Sequence, residues 1–277
     1  WLKNKNNEKI LHHAMLLIDD ESDYASINTK QDEITTINYK IRALLNKFEK
    51  SSYVAYTATP YANIFIDHNS SNQIIGEDLF PKDFIYLLEA PENYFGAKKI
   101  FINESNKYVV EIDEPCEIPR NHKKDDIFPN LPESMKEAIR QYIINVGIRG
   151  LRSDSNKHHS MLIHATRFTR FHMQITVKVE AYLKLIREEV TLYGHLKDSY
   201  LISQAILDLK ETFYNTFSKY PIKEKWEDII ISITDNIKKI IVREVHGEKS
   251  LDLEYRKDEP TYAIVIGGTS LSRGYTI

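Results

Sequence analysis

Short apolar runs that end in polar loops, separated by stretches of helical periodicity, constrain this chain more than any other feature. Met15-Leu16-Leu17-Ile18 is such a run, and it empties into Asp19-Asp20-Glu21-Ser22-Asp23. Its uninterrupted hydrophobicity reads as a strand buried on both faces. Ile34, Ile37, Ile41, Leu44, Leu45 and Phe48 then recur at helical spacing. Tyr53-Val54-Ala55-Tyr56 reads as a second strand, closed by Thr57-Ala58-Thr59-Pro60. Strand, helix, strand in this order predicts a parallel sheet with crossover helices.

From about Leu79 to Lys157 the pattern changes. Residues 103–130 are rich in Asn, Glu, Asp, Lys and Pro and read as a loop-rich insert. Leu131-Pro132-Glu133-Ser134 starts a helix, with Pro in its first turn, that carries Ile139, Ile143 and Val146 and ends near Arg149. Residues 149–159 read as a polar connector. The α/β pattern then resumes with a strand at Ser160-Met161-Leu162-Ile163-His164-Ala165. Helices follow over 171–192 and 198–220, the second aligning Ile202, Ile206, Leu209, Phe213 and Phe217, and a third spans 225–236. Strands are expected at 239–245 and 262–266, the last running into Gly267-Gly268-Thr269. No internal repeat or heptad array interrupts this order.

Composition narrows the class. Hydrophobic residues make up 42% and charged residues 28% of the 277, as in a folded globular protein. With 37 basic against 40 acidic residues the formal charge is −3, which excludes a chain bound to nucleic acid by bulk charge and leaves room for a local basic groove. No apolar run approaches the roughly 18 residues of a membrane span. Cys116 is the single cysteine, so an internal disulfide and a cysteine-built zinc site are excluded, and a cytoplasmic, reducing compartment is the simplest expectation. The chain opens on Trp1 and closes inside a motif, so it is expected to be part of a longer protein.

Four stretches carry chemistry. An apolar strand emptying into Asp-Glu-x-Asp has the form of a Walker B, or DExD, motif. Ligands of open α/β sheets bind beyond the carboxyl ends of strands. An Asp there can hold a hydrated Mg²⁺ at nucleotide phosphates, and the adjacent Glu can polarise the attacking water. This reading makes Asp20 and Glu21 catalytic and gives Asp20 and Asp23 to the metal; the alternative is an acidic loop after a buried strand. Thr57-Ala58-Thr59-Pro60 sits at the next strand's carboxyl end, where Thr57 and Thr59 are candidate nucleotide-side groups; by itself it is a polar turn closed by proline. Gly267, Gly268, Arg273 and Gly274, with Thr269 between them, read as a glycine-rich strand–helix turn that needs close backbone approach. The stretch resembles motif V of superfamily-two helicases, and that likeness implies nucleotide contacts, with Thr269 toward nucleic acid. Arg167 and Arg170, after the strand at 160–165, are candidate phosphate contacts, although two arginines at a helix start are commonly just solvated.

In this order the four stretches resemble the Z-one domain family, whose members carry an endonuclease label. The strings that carry the likeness are Leu17–Thr29, Tyr53–Asp67, Phe80–Leu88, Ser160–Phe171 and Ile264–Thr276, so it covers nearly the whole chain. The resemblance implies superfamily-two helicase relatives from prokaryotic restriction and phage-defence systems. It implies two partial RecA-like lobes with parallel sheets, residues 1–80 and 158–277, joined by an insert at 81–157. It implies ATP and Mg²⁺ as cofactors, DNA and other subunits of the defence system as partners, and Thr57, Thr59 and Arg273 as groups linking hydrolysis to lobe movement. Tyr275 and Thr276 stand where the related turn has Leu and Asp.

None of the nine glycines is followed by lysine, so no Walker A loop is present in these residues. A piece of this kind is expected to be inactive alone. Two other function classes stay open. Asp19, Asp20, Glu21 and Asp23 could clamp two metals as an endonuclease, though the nearest Asp-x-Lys, Asp208-Leu209-Lys210, falls in a helical pattern. A non-catalytic interaction module is the third, against which stands the mutual repulsion of clustered carboxylates.

Overall fold

The structure is a computed structural model that describes residues 11–29, 33–67, 71–72, 76–112, 121–128, 130–152, 154, 156–246, 249–250 and 260–268. It is a mixed α/β chain with two small parallel sheets and helices, and it divides into two compact units, Trp1–Asn103 and Glu104–Ile277.

In the first unit, β1 (Leu11–Asp20) and β2 (Phe48–Tyr56) pair in parallel, connected through helix α1 (Thr36–Leu45). The strand–helix–strand order expected from the sequence is present. Both strands are longer than the apolar runs, and α1 is shorter: Asn46 caps it, and Phe48, expected on its apolar stripe, opens β2. The expectation that β1 is buried on both faces is corrected. Leu16 and Ile18 are 60% and 62% exposed; among the described residues β2 is the strand that pairs with β1, and no buried apolar side chain covers that face. A short helix α2 (Tyr61–Ile64) follows Pro60, and β3 (Ser71–Asn72) pairs antiparallel with β4 (Gly76–Glu77).

Among the described residues of this unit, Leu79 is the one buried apolar side chain; Ser22, Ser26, Asn38, Arg42 and Asn63 are buried polar ones. Polar groups taken from water need partners. Asn38 donates to the Ser26 carbonyl (2.9 Å) and to Asp78 Oδ1 (2.8 Å), while the Arg42 guanidinium donates to Asn38 Oδ1 and the Gly76 carbonyl and lies 3.7 Å from Asp78. The apolar run Phe84–Leu88 lies outside any helix or strand with all five side chains exposed.

The second unit has a conventional core. Helix α3 (Glu133–Leu151), β5 (His159–Ile163), α4 (Thr169–Tyr193), α5 (Gln204–Thr212), α6 (Trp226–Asn236), β6 (Ile240–His246), β7 (Lys249–Ser250) and β8 (Tyr262–Gly267) follow in order. The sheet runs β5-β8-β6-β7, with β8 parallel to both neighbours and β7 antiparallel at the edge. β8 is buried along its whole length, as a central parallel strand with an unbroken apolar run should be. On α4, Phe171, Ile175, Val179, Leu183, Ile186 and Val190 recur at helical spacing and are all buried.

The helix expected over 198–220 is instead broken. Asp198 is left-handed (φ 55°), a 3₁₀ turn spans Ser199–Leu201, and α5 begins only after Ser203, whose hydroxyl accepts from the Ile206 N–H. Serine competes for backbone bonds in just this way and so starts helices rather than continuing them. Ile202, expected on the apolar stripe, is consequently 59% exposed, and a π-helical turn at Phe213–Phe217 follows α5. Among the described residues no helix is long and apolar enough to cross a membrane.

Candidate functional site

β1 and β2 run in register up to Asp20 opposite Tyr56. Two parallel strands ending level deliver their following residues to the same sheet edge. The loops that begin at Asp20-Glu21 and at Thr57-Ala58-Thr59 are therefore neighbours, and bonds of Ser22 and Asp23 join them. Thr59 Oγ1 donates to Asp23 Oδ2 at 2.6 Å. The Ser22 N–H donates to the Tyr56 carbonyl at 3.1 Å. Within each loop the Glu21 N–H donates to Asp20 Oδ1 (3.1 Å) and the Thr59 N–H to Thr57 Oγ1 (2.9 Å). Asp20, Glu21 and Thr59 are exposed, while Thr57 and Asp23 are half-buried.

Glu21 has φ 56°. A side chain in the left-handed region costs about 1–2 kcal/mol, so the surrounding bonds must hold it there. They do: the residue before it is in the β1 ladder, and Ser22 after it is fully buried against β2. The strain leaves the Glu21 carboxylate exposed beyond the strand end.

Asp19 does not join this edge. Strand parity sends consecutive side chains to opposite faces. Asp19 Oδ2 accepts from the Tyr53 hydroxyl at 2.6 Å, and burial, followed by that bond to Asp19, raises the Tyr53 pKa. Among the described residues no three His, Cys, Asp or Glu side chains converge as a metal-binding group. A two-metal clamp needs several converging carboxylates, and the geometry does not assemble one. Mg²⁺ at a nucleotide is less demanding, since it keeps several waters and uses one or two carboxylates plus phosphate oxygens. Exposed Asp20 fits that role; Asp23 already accepts from Thr59.

The second unit has its own carboxyl edge, where β5 and β8 end side by side at Ile163 and Gly267. Thr166 is the node there. Its Oγ1 lies 2.6 Å from His122 Nε2, and its carbonyl accepts from His172 Nε2 at 2.8 Å. Gly268 is held close: a Cβ there would stand 2.9 Å from His172 Cε1 and 3.3 Å from the Thr166 carbonyl, so the position needs glycine for space. Arg167 is exposed with its guanidinium 5.1 Å from the Phe168 ring, and Arg170 pairs with Asp125 at 2.6 Å on the surface. Gly267 is buried at the end of β8. Thr269, Arg273, Gly274 and Cys116 lie outside the described residues.

Sequence reasoning missed Ser22, Asn63, Tyr53, His122 and His172. Tyr53 had a readable signal, because strand parity puts it on the Asp19 face. His122 had none, lying in a loop with no periodicity.

Residues 134–277, just over half the chain, match the family model described as Z1 domain, and the chain belongs to the Z1 domain family. The match lies in the second unit; the Asp20–Asp23 loop is outside it. No curated protein and no solved structure matches the chain.

Proposed function

We propose that this chain is the middle part of an ATP-dependent, helicase-like motor acting on DNA in a restriction or phage-defence system. Residues 1–80 and 158–277 are portions of two RecA-like lobes, with 81–157 an insert between them. The observation that carries the reading is the juxtaposition at the β1–β2 carboxyl edge: an exposed Asp20-Glu21 pair bonded through Asp23 to the Thr57–Thr59 turn. Phosphoryl transfer depends on positioning and charge neutralisation, and an exposed acidic pair at a strand end supports a reading in which these residues supply both. Asp20 holds Mg²⁺, which neutralises phosphate charge when bound. Glu21 orients the attacking water and takes its proton, at a position set by the backbone on either side. Thr59 ties the Asp23 loop to the turn that follows β2. No Gly-Lys pair is present in these 277 residues, so the reading requires a phosphate-cradling lysine that they do not supply.

The test is hydrolysis of Mg·ATP by the full-length protein with and without duplex DNA. Glu21→Gln is expected to lower kcat on the order of 10²–10⁴-fold, the usual worth of a positioned base, while nucleotide binding survives. An unchanged kcat overturns the assignment. Metal-dependent DNA cleavage without ATP that disappears in Asp20→Ala supports the endonuclease instead.

A further inference from the structure

Asn63 lies in α2, three residues after Pro60, and its side chain is 5% exposed. Its amide nitrogen donates to the Ser22 carbonyl (3.4 Å) and to Ser22 Oγ (3.3 Å). Ser22 is fully buried, although Glu21 beside it is exposed. The Ser22 hydroxyl donates in turn to the Tyr56 carbonyl at 3.3 Å, the acceptor its own N–H already uses. A carbonyl oxygen only accepts, so the orientation of the Asn63 amide is dictated: the NH₂ group must face Ser22. That leaves Asn63 Oδ1 buried with no hydrogen-bond partner. A buried polar atom left unsatisfied is costly and asks for a reason.

Asn63 is itself fastened to the turn after β2. Its N–H and that of Ile64 both donate to the Pro60 carbonyl at 3.1 Å. One chain of bonds thus runs from the Thr57–Pro60 turn through Asn63 to Ser22, the residue next to left-handed Glu21. The Thr59–Asp23 bond runs parallel to it on the other side of Ser22.

We infer that Asn63 is a positioning residue: acting through Ser22, it holds the backbone that aims Glu21 and makes that aim depend on the state of the Thr57–Pro60 turn. The inference rests on the hydrolytic reading of the site and adds to it a means of regulation. A turn that shifts carries α2, Asn63 and Ser22 with it, and Glu21 loses its water-orienting position without any change in the groups that bind nucleotide. Removing Asn63 therefore weakens turnover and leaves binding intact. A residue that merely filled space would alter stability without separating the two.

The test uses the full-length protein and Mg·ATP, with Asn63→Ala, Asn63→Asp, Glu21→Gln and Tyr61→Ala. Tyr61 is on the same short helix and 71% exposed. Asn63→Asp keeps the shape and replaces the donor with an acceptor. Both Asn63 variants are expected to lower kcat on the order of 10–10²-fold, as small misplacements of a reacting group do. Their KM for ATP stays close to the parent's while their melting temperature falls, more in Asn63→Asp, which sets a buried carboxylate against the Ser22 carbonyl, and Tyr61→Ala behaves as the parent. Amide hydrogen exchange at Glu21 and Ser22 rises in Asn63→Ala, whereas in β1 at Leu16–Ile18 it does not. Full activity in either Asn63 variant overturns the inference, as does unchanged exchange at Glu21 and Ser22. Full activity of Glu21→Gln overturns the hydrolytic reading itself, whatever Asn63 does. Should Asn63→Ala fail to fold, Ser22→Ala carries the same test, with a smaller kcat loss expected because the bond to the Ser22 carbonyl is kept.

Discussion

Helices α3 and α6 cross at Gly147, and the crossing sets up a contest whose sign can be measured. Replacing a mid-helix glycine by alanine ordinarily stabilises by about 1 kcal/mol, through backbone entropy lost from the unfolded chain. Here the added Cβ would stand 2.6 Å from Ile233 Cγ1 and 3.1 Å from the Ile229 carbonyl oxygen. Carbon atoms in contact prefer about 3.5–4.0 Å, so the methyl intrudes by about 1 Å. Ile233 is fully buried, and its β-branched side chain has one strongly preferred rotamer in a helix, so it cannot swing aside cheaply. The Ile229 oxygen is backbone and moves only with α6. Ser232 Oγ also donates to the Gly147 carbonyl at 2.7 Å, and a separation of the helices stretches that bond.

Overpacking of a filled core costs about 1–3 kcal/mol, and an intrusion of this depth against backbone belongs at the upper end. Gly147→Ala is therefore expected to destabilise by about 2 kcal/mol net, a fall of about 4–8 °C in melting temperature for a unit of this size. Thermal unfolding followed by circular dichroism reads it. Ile233→Ala alone loses buried apolar contact, but it makes room for the new methyl. The double variant should therefore be less destabilised than the sum of the singles, by about 0.5–3 kcal/mol. A higher melting temperature for Gly147→Ala, or strict additivity in the double variant, would show that the helices do not approach as closely as these distances say.

Two further outcomes follow from burial and charge. The His159 imidazole is buried, and its pKa is pushed down to about 4, by burial first and by the Arg149 charge second, with Asp154 opposing. The unfolded imidazole takes a proton near pH 6.5, so stability is full above that value, falls as pH drops, and levels off near pH 4. The loss is about 3 kcal/mol; urea titrations at several pH values should show this slope in the parent and a flatter one in His159→Phe, and equal slopes would refute it. Limited chymotrypsin digestion should cut first within Phe84–Leu88, where exposed aromatic and leucine side chains sit on backbone outside any helix or strand, and leave the helical core of 133–236 intact. Earliest cleavage inside α4 would contradict the contrast in packing between the two units.

What the sequence revealed and what it concealed have physical causes. Periodicity survives where a face is buried. The stripe on α4 was legible because it lies against one core, and the continuous apolar run of β8 because the strand is buried on both faces, Tyr262, Ile264 and Ile266 in the main core and Ala263 and Val265 in a second cluster. β1 carries the same kind of run, yet burial on both faces did not follow, because hydrophobicity specifies what a strand prefers to contact and not whether this stretch of chain supplies the contact. The break at Ser203 depended on one hydroxyl choosing a backbone N–H over solvent, a local competition invisible to an apolar pattern that runs straight through it. At the candidate site, the residue types that do chemistry are short and polar and were found at strand ends, where the topology of parallel sheets puts them. Their support was hidden. Asn63 gives no sign in sequence that it will be buried, since asparagine is usually exposed. Only the parallel register of β1 and β2 places α2 beside Ser22. Register also separates Asp19 from Asp20: adjacent in sequence, they leave β1 on opposite faces, one toward the Tyr53 hydroxyl and one toward the open edge. A run of acidic residues read as one cluster is thereby two, and strand parity, once the strand is known to extend through Asp20, is what divides them.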